Sequence, residues 1–303
     1  MDPISRALDI VKGKLTYAEV KIDEPLKNHT SFNIGGPVRA MFFPESRTCM
    51  AELCDLLYKH EITPFIIGKG TNILADDKKL DIIVINTKKL KSVELTGQTE
   101  ITAESGVMLS SLAVFAYESG LSGLEFAHGI PGTLGGAVVM NAGAYGGEMK
   151  DVVSCTTAYD PKGGEYTITD RQHEFSYRHS RFSDSNDIVI SSIIRLMTGD
   201  KEDIKSCMDD LNVRRRESQP LDLPSAGSVF KRPKDGYAAA FIEEAGLKGF
   251  AIGGAMVSSK HSGFIVNRGD ATFSDVMAVI EYVQNMVYKQ FGIELEPEIR
   301  IVK

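Results

Sequence analysis

Apolar side chains recur at two spacings along this chain, and these spacings predict a mixture of helices and strands. Apolar residues three and four positions apart, typical of a helix with one buried face, predict helices at 50–58, 109–117, 200–216 and 276–287. Short apolar or alternating runs predict strands at 65–67 and 82–86, in TEITAESG, at several places between 152 and 197, and in GGAMVS and GFIVN.

Some element ends are marked by their own residues. Thr272 and Asp275 form a capping-box pattern before the last helix, and Gly292 is placed to end it. Residues 4–26 predict a helix followed by an extended segment. At the other end, apolar residues alternate with charged ones, which predicts a strand whose buried face carries Ile293, Leu295, Ile299 and Ile301.

Length and charge narrow the class of protein. The 303 residues predict about two domains, and the ordinary content of hydrophobic (43%) and charged (25%) residues predicts a folded globular protein. A net charge of −7 argues against a protein that binds duplex nucleic acid. The first residues, MDPISRALDIVKGK, lack a secretory signal, so we expect a cytoplasmic protein.

The residue types that bind metals or form disulfides are scattered. Neither the cysteines nor the six histidines show the spacing of a metal site, so we expect no metal. Free thiols are the expected state of Cys49, Cys54, Cys155 and Cys207.

A glycine-rich stretch, residues 126–147, lies between Glu125 and Glu148 and contains no charged residue. It is long enough to span a membrane, but its seven glycines, Pro131 and Asn141 make it a poor lipid-facing helix. Tight turns and a short helix fit it better, and they would bring backbone close to a ligand. Without Lys or Arg, a phosphate held here would be bound by backbone N–H groups. A packed connection inside a core stays the alternative.

A second glycine loop, Gly68 to Asn72, follows the predicted strand 65–67. Glycine loops at the ends of strands often hold phosphates in proteins built from helices and strands. The spacing here matches neither the dinucleotide fingerprint nor the P-loop, so both assignments fail. A ligand loop and a plain turn both remain open for this segment.

Three other segments hold groups suited to chemistry. Arg178 lies among aromatic residues in FSYRHSRF and could fork a carboxylate or phosphate, or be a solvated loop arginine. Ser228 in PSAGSVFKRP could donate a proton or cap a turn, and no hydrolase elbow surrounds it. Glu298 in LEPEIR could be an acid or an exposed strand edge.

Together these segments resemble the UDP-N-acetylenolpyruvoylglucosamine reductase (MurB) family over nearly the whole chain. The matching motifs occur in order as TSFNIGG, GKGTNIL, GIPGTLGGAVVMNAGAYG, YRHS, PSAGSVFKRP, GGAMVSSKHSGFIVN and LEPEIR. The chain is similar to the shorter form of the family, which lacks an inserted substrate loop. The resemblance implies an α+β fold: an FAD-binding region of the vanillyl-alcohol-oxidase (PCMH) type with two subdomains, and a C-terminal α+β substrate-binding domain. We place the domains at 1–200, split near 86, and 201–303, with the strand at about 295–303 assigned to either one.

The resemblance also assigns residues to roles. It implies non-covalent FAD, bound by Gly68, Lys69, Gly70, Thr71, Asn72, Gly129, Ile130, Pro131, Gly132, Thr133, Gly135, Asn141, Ala142, Gly143 and Ala144. It implies catalysis by Arg178, Ser228 and Glu298, and substrate contacts from Arg178, Arg215, Ser228 and Lys231. Arg232 departs from the family pattern, where many relatives have asparagine.

The activity implied is NADPH-dependent reduction of UDP-N-acetylglucosamine enolpyruvate to UDP-N-acetylmuramate through FAD, in peptidoglycan synthesis. It serves cell-wall biogenesis, cell shape and division. The expected partners are the UDP-sugar enolpyruvyl ether and NADPH, with no nucleic acid and no membrane, and the expected state is a monomer. Two alternatives stay open: another flavin oxidase or dehydrogenase of the same superfamily, and a non-catalytic nucleotide-binding module.

Overall fold

The computed structural model describes residues 18–303. Its α-helices are α1 (Arg47–Lys59), α2 (Leu109–Glu118), α3 (Leu134–Val139), α4 (Lys201–Ser218), α5 (Ala238–Glu244) and α6 (Phe273–Phe291). Its strands are β1 (Ala18–Pro25), β2 (Pro37–Pro44), β3 (Phe65–Ile67), β4 (Ile73–Ala75), β5 (Leu80–Asn86), β6 (Val93–Leu95), β7 (Glu100–Glu104), β8 (Leu121–Ser122), β9 (Gly143–Ala144), β10 (Gly147–Glu148), β11 (Val153–Asp160), β12 (Gly164–Thr169), β13 (Ile188–Arg195), β14 (Met197–Thr198), β15 (Ser225–Ser228), β16 (Ala251–Ile252), β17 (Ala255–Val257), β18 (Phe264–Asn267) and β19 (Arg300–Val302). Short 3₁₀ turns lie at Leu26–His29, Thr87–Lys89, Glu125–Ala127, Met149–Asp151, Asp170–His173 and Arg181–Ser183.

The predicted helices at 50–58, 109–117, 200–216 and 276–287 are all confirmed, as is the mixed α+β character. The extended segment predicted before residue 26 is β1, whereas the helix predicted ahead of it lies outside the described residues. Thr272 and Asp275 form the capping box reciprocally, and Gly292 ends α6 with a left-handed φ of 69°.

The chain divides into two compact units. Of the described residues, unit 1 comprises 18–23, Arg39–Lys69 and Ile82–Val213. A four-stranded sheet has the order β1-β2-β5-β3, and a five-stranded antiparallel sheet has the order β12-β11-β13-β7-β6. The apolar face of α1 packs in one core with residues of β2, β5 and β13. The second core gathers α2, α3 and the five-stranded sheet, so each helix buries its apolar stripe against strands.

Unit 2 comprises Glu24–Val38, Gly70–Asp81 and Arg214–Lys303. Its antiparallel sheet has the order β15-β18-β17-β16, and the buried stripe of α6 packs in the same core as this sheet. Phe32 and Leu74, from the two early segments, belong to that core as well. β19 pairs in parallel with β4, with Arg300 opposite Ile73. Unit 2 is therefore discontinuous in sequence, and the predicted domains 1–200 and 201–303, with the strand at about 295–303 assigned to either one, stay a prediction.

The strand predicted at the C-terminus is wrong over most of its length. Only Arg300–Val302 forms a strand, although Leu295 and Ile299 are buried as the alternation predicted. Pro297 has no N–H to give to a strand ladder. The segment is held by two other hydrogen bonds: the Lys231 N–H donates to the Glu296 carbonyl (2.9 Å), and the Glu298 N–H donates to the Val229 carbonyl (2.7 Å).

Candidate active site

The glycine-rich stretch folds as tight turns around α3, followed by the β9–β10 hairpin, which confirms its predicted local structure. Gly68, at the end of β3, lies directly against this stretch. A Cβ atom added to Gly68 would come within 2.1 Å of the Thr133 hydroxyl, and one added to Gly135 within 2.8 Å of the Ser105 Cβ. Only glycine permits these approaches, so the two glycine segments of unit 1 form one tightly packed cradle.

The hydroxyl of Thr133 is an unusual feature of this cradle. Thr133 is buried, and its Oγ1 has no hydrogen-bond partner among the described residues. Buried polar atoms normally have partners, and those without one often mark a functional place. An uncharged cradle with an unsatisfied hydroxyl fits a diphosphate cofactor such as FAD better than a simple core connection.

Asn141 organises the other side of the stretch. Its side chain is fully buried and donates to Glu148 Oε2 and to the Ser176 carbonyl, both at 2.9 Å, while its Oδ1 accepts the Lys150 N–H at 2.9 Å. The side chain of Asn141 therefore holds its own loop against the segments that carry Glu148 and Ser176. Glu148 was not predicted to accept this hydrogen bond, although its place at the end of the uncharged stretch was a signal.

Arg178 lies beside this hairpin in unit 1. Its Nη2 donates to the Gly143 carbonyl at 3.2 Å, and its guanidinium lies 5.1 Å from the centre of the Tyr177 ring. The pKa of Glu148 is lowered, chiefly by its hydrogen bond to Lys150 and to a smaller extent by Asn141 and the charge of Arg178. Arg178 is thus anchored to the Gly143 loop, unlike a freely solvated loop arginine.

Three residues around this hairpin adopt left-handed backbone conformations that non-glycine residues rarely take. They are Asn141 (φ 41°), Tyr145 (φ 54°) and Arg178 (φ 54°). Such conformations cost of order 1–3 kcal/mol each and cluster at functional sites. Their grouping supports this part of unit 1 as a binding site.

In unit 2, Ser228 ends β15 after Gly227, whose φ is +80°. Ser228 is exposed, and its hydroxyl makes no hydrogen bond to any described residue. The turn-capping alternative for this serine therefore has no support. A hydroxyl held on a strand without a protein partner can give its proton to a ligand.

Glu298, Lys231, Arg215 and Arg232, also in unit 2, are each held by contacts of their own. Glu298 is half-buried, and its carbonyl accepts the Asn72 Nδ2–H at 3.1 Å. Lys231 pairs with Glu296 at 2.5 Å. Arg215 is buried and donates from Nη1 to Gln219 at 3.3 Å. Arg232 lies 4.1 Å over the Tyr237 ring.

Gly70, Thr71 and Asn72, the second half of the predicted cofactor loop, belong to unit 2. Gly70 has a φ of +68°, and its carbonyl accepts the Ser31 N–H at 3.1 Å. A Cβ atom at Gly70 would meet the His29 carbonyl at 2.1 Å, so glycine is required here on both counts.

Metal binding and membrane crossing are two further possibilities for the described residues. Within residues 18–303, no group of three or more His, Cys, Asp or Glu side chains is arranged to hold a metal ion. No helix in the described part of the chain combines the length and apolar character that crossing a membrane requires. All four cysteines are thiols.

Comparison with known proteins defines the class. Residues 38–169 match the FAD binding domain, and residues 219–302 match the C-terminal domain of UDP-N-acetylenolpyruvoylglucosamine reductase. An FAD binding domain followed by this second domain makes the chain an FAD-dependent oxidoreductase.

Whole-chain relatives define the family. The chain is 49% identical over 295 residues to the UDP-N-acetylenolpyruvoylglucosamine reductase of Caldanaerobacter subterraneus subsp. tengcongensis, covering 97% of each chain. It is 45% identical over 284 residues to that of Limosilactobacillus reuteri subsp. reuteri, covering 94% of this chain and 95% of the relative. The crystal structure of the Thermus caldophilus enzyme matches with a TM-score of 0.80 at 31% identity, over 94% of this chain and 99% of that one. The chain belongs to the UDP-N-acetylenolpyruvoylglucosamine reductase family.

Proposed function

We propose that this enzyme reduces the enolpyruvyl ether of UDP-N-acetylglucosamine to the lactyl ether of UDP-N-acetylmuramate, with FAD and NADPH. The family membership of the whole chain supports this reaction, which belongs to peptidoglycan precursor synthesis. The single observation that carries the chemical proposal is the hydroxyl of the exposed residue Ser228, which has no hydrogen bond to a described residue. Bound FAD would supply hydride transfer, first from NADPH and then to the terminal enol carbon.

The cofactor is held by backbone rather than by charged side chains. We assign the diphosphate and ring to the backbone of Gly68–Asn72, Gly129–Thr133, Gly135 and Asn141–Ala144. Within unit 1, the close approach of Gly68 to Thr133 and the unsatisfied Thr133 hydroxyl support this assignment. The role of Asn141 is to shape its loop, because its side chain is already hydrogen-bonded within the protein.

Three side chains stabilise the negative charge that develops on the substrate and supply the proton that neutralises it. As the enolpyruvyl group is reduced, negative charge develops next to the carboxylate of the substrate. Arg178 stabilises this charge electrostatically, and Glu298, as the neutral acid, stabilises it by donating a hydrogen bond. Ser228 donates its proton to the carbon that carries the charge, which completes the lactyl ether. Lys231 and Arg215 bind the substrate phosphates.

Replacing Ser228 by alanine tests the proton donor. We expect Ser228→Ala to leave flavin reduction by NADPH nearly unchanged and to slow substrate reduction by about 10²–10⁴-fold, the usual contribution of a general acid. Stopped-flow absorbance separates the two half-reactions, because oxidised and reduced flavin differ in colour. Equal slowing of both half-reactions would assign Ser228 a structural role instead. Rapid reoxidation by air without any response to the UDP-sugar would favour a flavin oxidase.

Two substitutions of Glu298 test its protonation state. If the neutral acid is the working form, Glu298→Gln keeps a hydrogen-bond donor of the same shape and should be milder than Glu298→Ala. We expect a gap of about tenfold or more in the rate of substrate reduction, since one charge-directed hydrogen bond contributes about 1.5–3 kcal/mol. Equal losses in the two variants would contradict a neutral Glu298.

The proposed function also bears on where the enzyme works and on its oligomeric state. We place it in the cytoplasm, where NADPH and the UDP-sugar are available, and expect a monomer. Analytical ultracentrifugation of the FAD-loaded protein would measure the oligomeric state directly.

A further inference from the structure

The turn between β17 and β18 places a half-buried imidazole against the same glycine, Gly263, that the Ser228 hydroxyl borders. A Cβ atom built on Gly263 would lie 3.1 Å from Ser228 Oγ and 3.1 Å from His261 Cε1. Both groups therefore border the same buried glycine, which has no side chain to separate them. Strand pairing fixes the arrangement, because Ser228 is opposite Phe264 and the Val229 N–H donates to the Gly263 carbonyl at 2.9 Å.

The hydrogen bonds of the turn determine the protonation state of His261. The Gly263 N–H lies 3.2 Å from His261 Nδ1. A backbone N–H can only donate, so Nδ1 must accept, and the ring is neutral with its proton on Nε2. Burial, chiefly, lowers the pKa of His261; a hydrogen bond to its own backbone and the charge of Glu243 oppose this, and the charge of Lys248 acts in the same direction as burial.

The ring is also held in place on its other sides. The Ser258 hydroxyl accepts the N–H groups of Lys260 (3.1 Å) and His261 (3.3 Å), which closes the turn. The Phe264 ring packs edge-on against the imidazole at 4.9 Å between centres. Lys260, the other charged residue of the turn, directs its ammonium group to the Arg216 carbonyl. His261 is thus held in place by the turn and by Phe264, unlike a mobile surface side chain.

We propose that neutral His261 is a positioning residue that holds the turn against which the Ser228 hydroxyl is oriented for proton donation. The proposal rests on the proposed role of Ser228. A proton on Nδ1 would turn the acceptor into a donor facing the Gly263 N–H, and these two donors would separate. The turn beside Ser228 would then shift, so acid should impair the proton-transfer half-reaction and spare flavin reduction.

A pair of variants at His261 separates positioning from simple packing. In His261→Asn, the side-chain oxygen can accept the Gly263 N–H as Nδ1 does, but it does not titrate. In His261→Ala the acceptor is lost. At pH 7.5 we expect His261→Asn to stay within about threefold of the wild-type rate of substrate reduction. His261→Ala should be slower by about 10- to 100-fold with little change in KM, as misplaced catalytic groups are. Flavin reduction by NADPH should be unchanged in both.

The pH profile gives a readout that a purely structural role would not move. For the wild type, the rate of substrate reduction should fall as the pH is lowered below about 6.5, the ordinary pKa of histidine. His261→Asn should lose this acid limb. If His261→Ala fails to fold, the comparison of wild type with His261→Asn decides: an acid limb that persists unchanged in His261→Asn overturns the proposal.

A second measurement does not depend on activity. Nitrogen NMR of the FAD-loaded, substrate-free protein should show His261 as the Nε2–H tautomer and titrating below pH 6.5. An Nδ1–H tautomer at neutral pH would overturn the inference. Failure of the proposed function is distinguishable: Ser228→Ala would then reduce substrate at the wild-type rate. A slow Ser228→Ala with wild-type rates and pH profiles in both His261 variants would overturn only the role of His261.

Discussion

A fully buried histidine in unit 1 forms part of a directed chain of hydrogen bonds. His173 Nδ1 lies 2.9 Å from the Asp170 carbonyl, which can only accept, so Nδ1 carries the proton. Nε2 therefore accepts from the Thr156 hydroxyl at 2.9 Å, and that oxygen lies 2.9 Å from the Ser192 hydroxyl. The side chain of His173 is completely buried, and burial lowers its pKa more than the Asp170 carbonyl raises it.

This histidine should make the stability of the protein depend on pH. The folded pKa lies below the unfolded value of about 6.5, so the folded state binds fewer protons, and stability falls as the pH drops below that value. The loss approaches about 1.4 kcal/mol per pH unit for one proton. Urea unfolding of wild type and His173→Asn at pH 7.5 and 5.5 measures it. We expect the wild type to lose more stability than the variant over this interval; equal losses would contradict the prediction.

At the scale of elements, the loop after β3 fits its neighbour only because Gly68 lacks a side chain. The substitution Gly68→Ala puts a Cβ within 2.1 Å of the Thr133 hydroxyl, so one of the two loops must move. Overpacking of this kind costs about 1–3 kcal/mol. We expect a lower thermal midpoint and weaker FAD binding, measured by flavin fluorescence during titration.

The matched control for this substitution is Gly97→Ala, also in unit 1. A Cβ at Gly97 would find its nearest neighbour, Glu100 Cβ, at an ordinary 3.5 Å. This variant should bind FAD as the wild type does. Equal losses of FAD affinity in both variants would show that the steric contact with Thr133 does not govern cofactor binding.

Elements whose ends carry local signals could be predicted well from the sequence. The α6 helix begins and ends where Thr272, Asp275 and Gly292 predicted, because capping depends on neighbouring residues alone. The C-terminal segment shows the limit of such patterns. Its alternation identified Leu295 and Ile299 as buried, but Pro297 and the hydrogen bonds to residues 229 and 231 replaced the expected ladder.

Some residues of the candidate site could likewise be predicted from the sequence, and others could not. Motif resemblance singled out Arg178, Ser228 and Glu298, and each role stays a prediction until it is tested. Two features of the site depend on contacts that no local pattern records. The Thr133 hydroxyl faces Gly68 across a long separation in sequence, and His261 is placed near Gly263 by a particular turn. Periodicity carries no information about such contacts, so the sequence could not reveal them.

At the scale of the whole molecule, the discontinuity of unit 2 was beyond a search for composition changes. Residues 24–38 and 70–81 have no linker-like boundaries, yet they join residues 214–303 through specific bonds. The Asn267 side chain donates to the Phe32 carbonyl at 3.0 Å, and the Phe273 N–H donates to the Asp77 carboxylate at 2.6 Å. Sequence patterns predict elements, but the pairing of distant segments follows from the core that they complete together.

The parallel pairing of β4 with β19 has a consequence for how the chain is made. The ribosome synthesises Ile73–Ala75 long before Arg300–Val302. The Asp76 N–H therefore has no partner until the Val302 carbonyl, 2.8 Å away in the folded protein, has been synthesised. The early segments of unit 2 are therefore synthesised without the rest of their core. They can join that core only when translation of residues 214–303 is nearly finished. Contacts this distant in sequence slow folding. Unit 1 is completely synthesised by residue 213, so it can fold before unit 2, which is expected to assemble later.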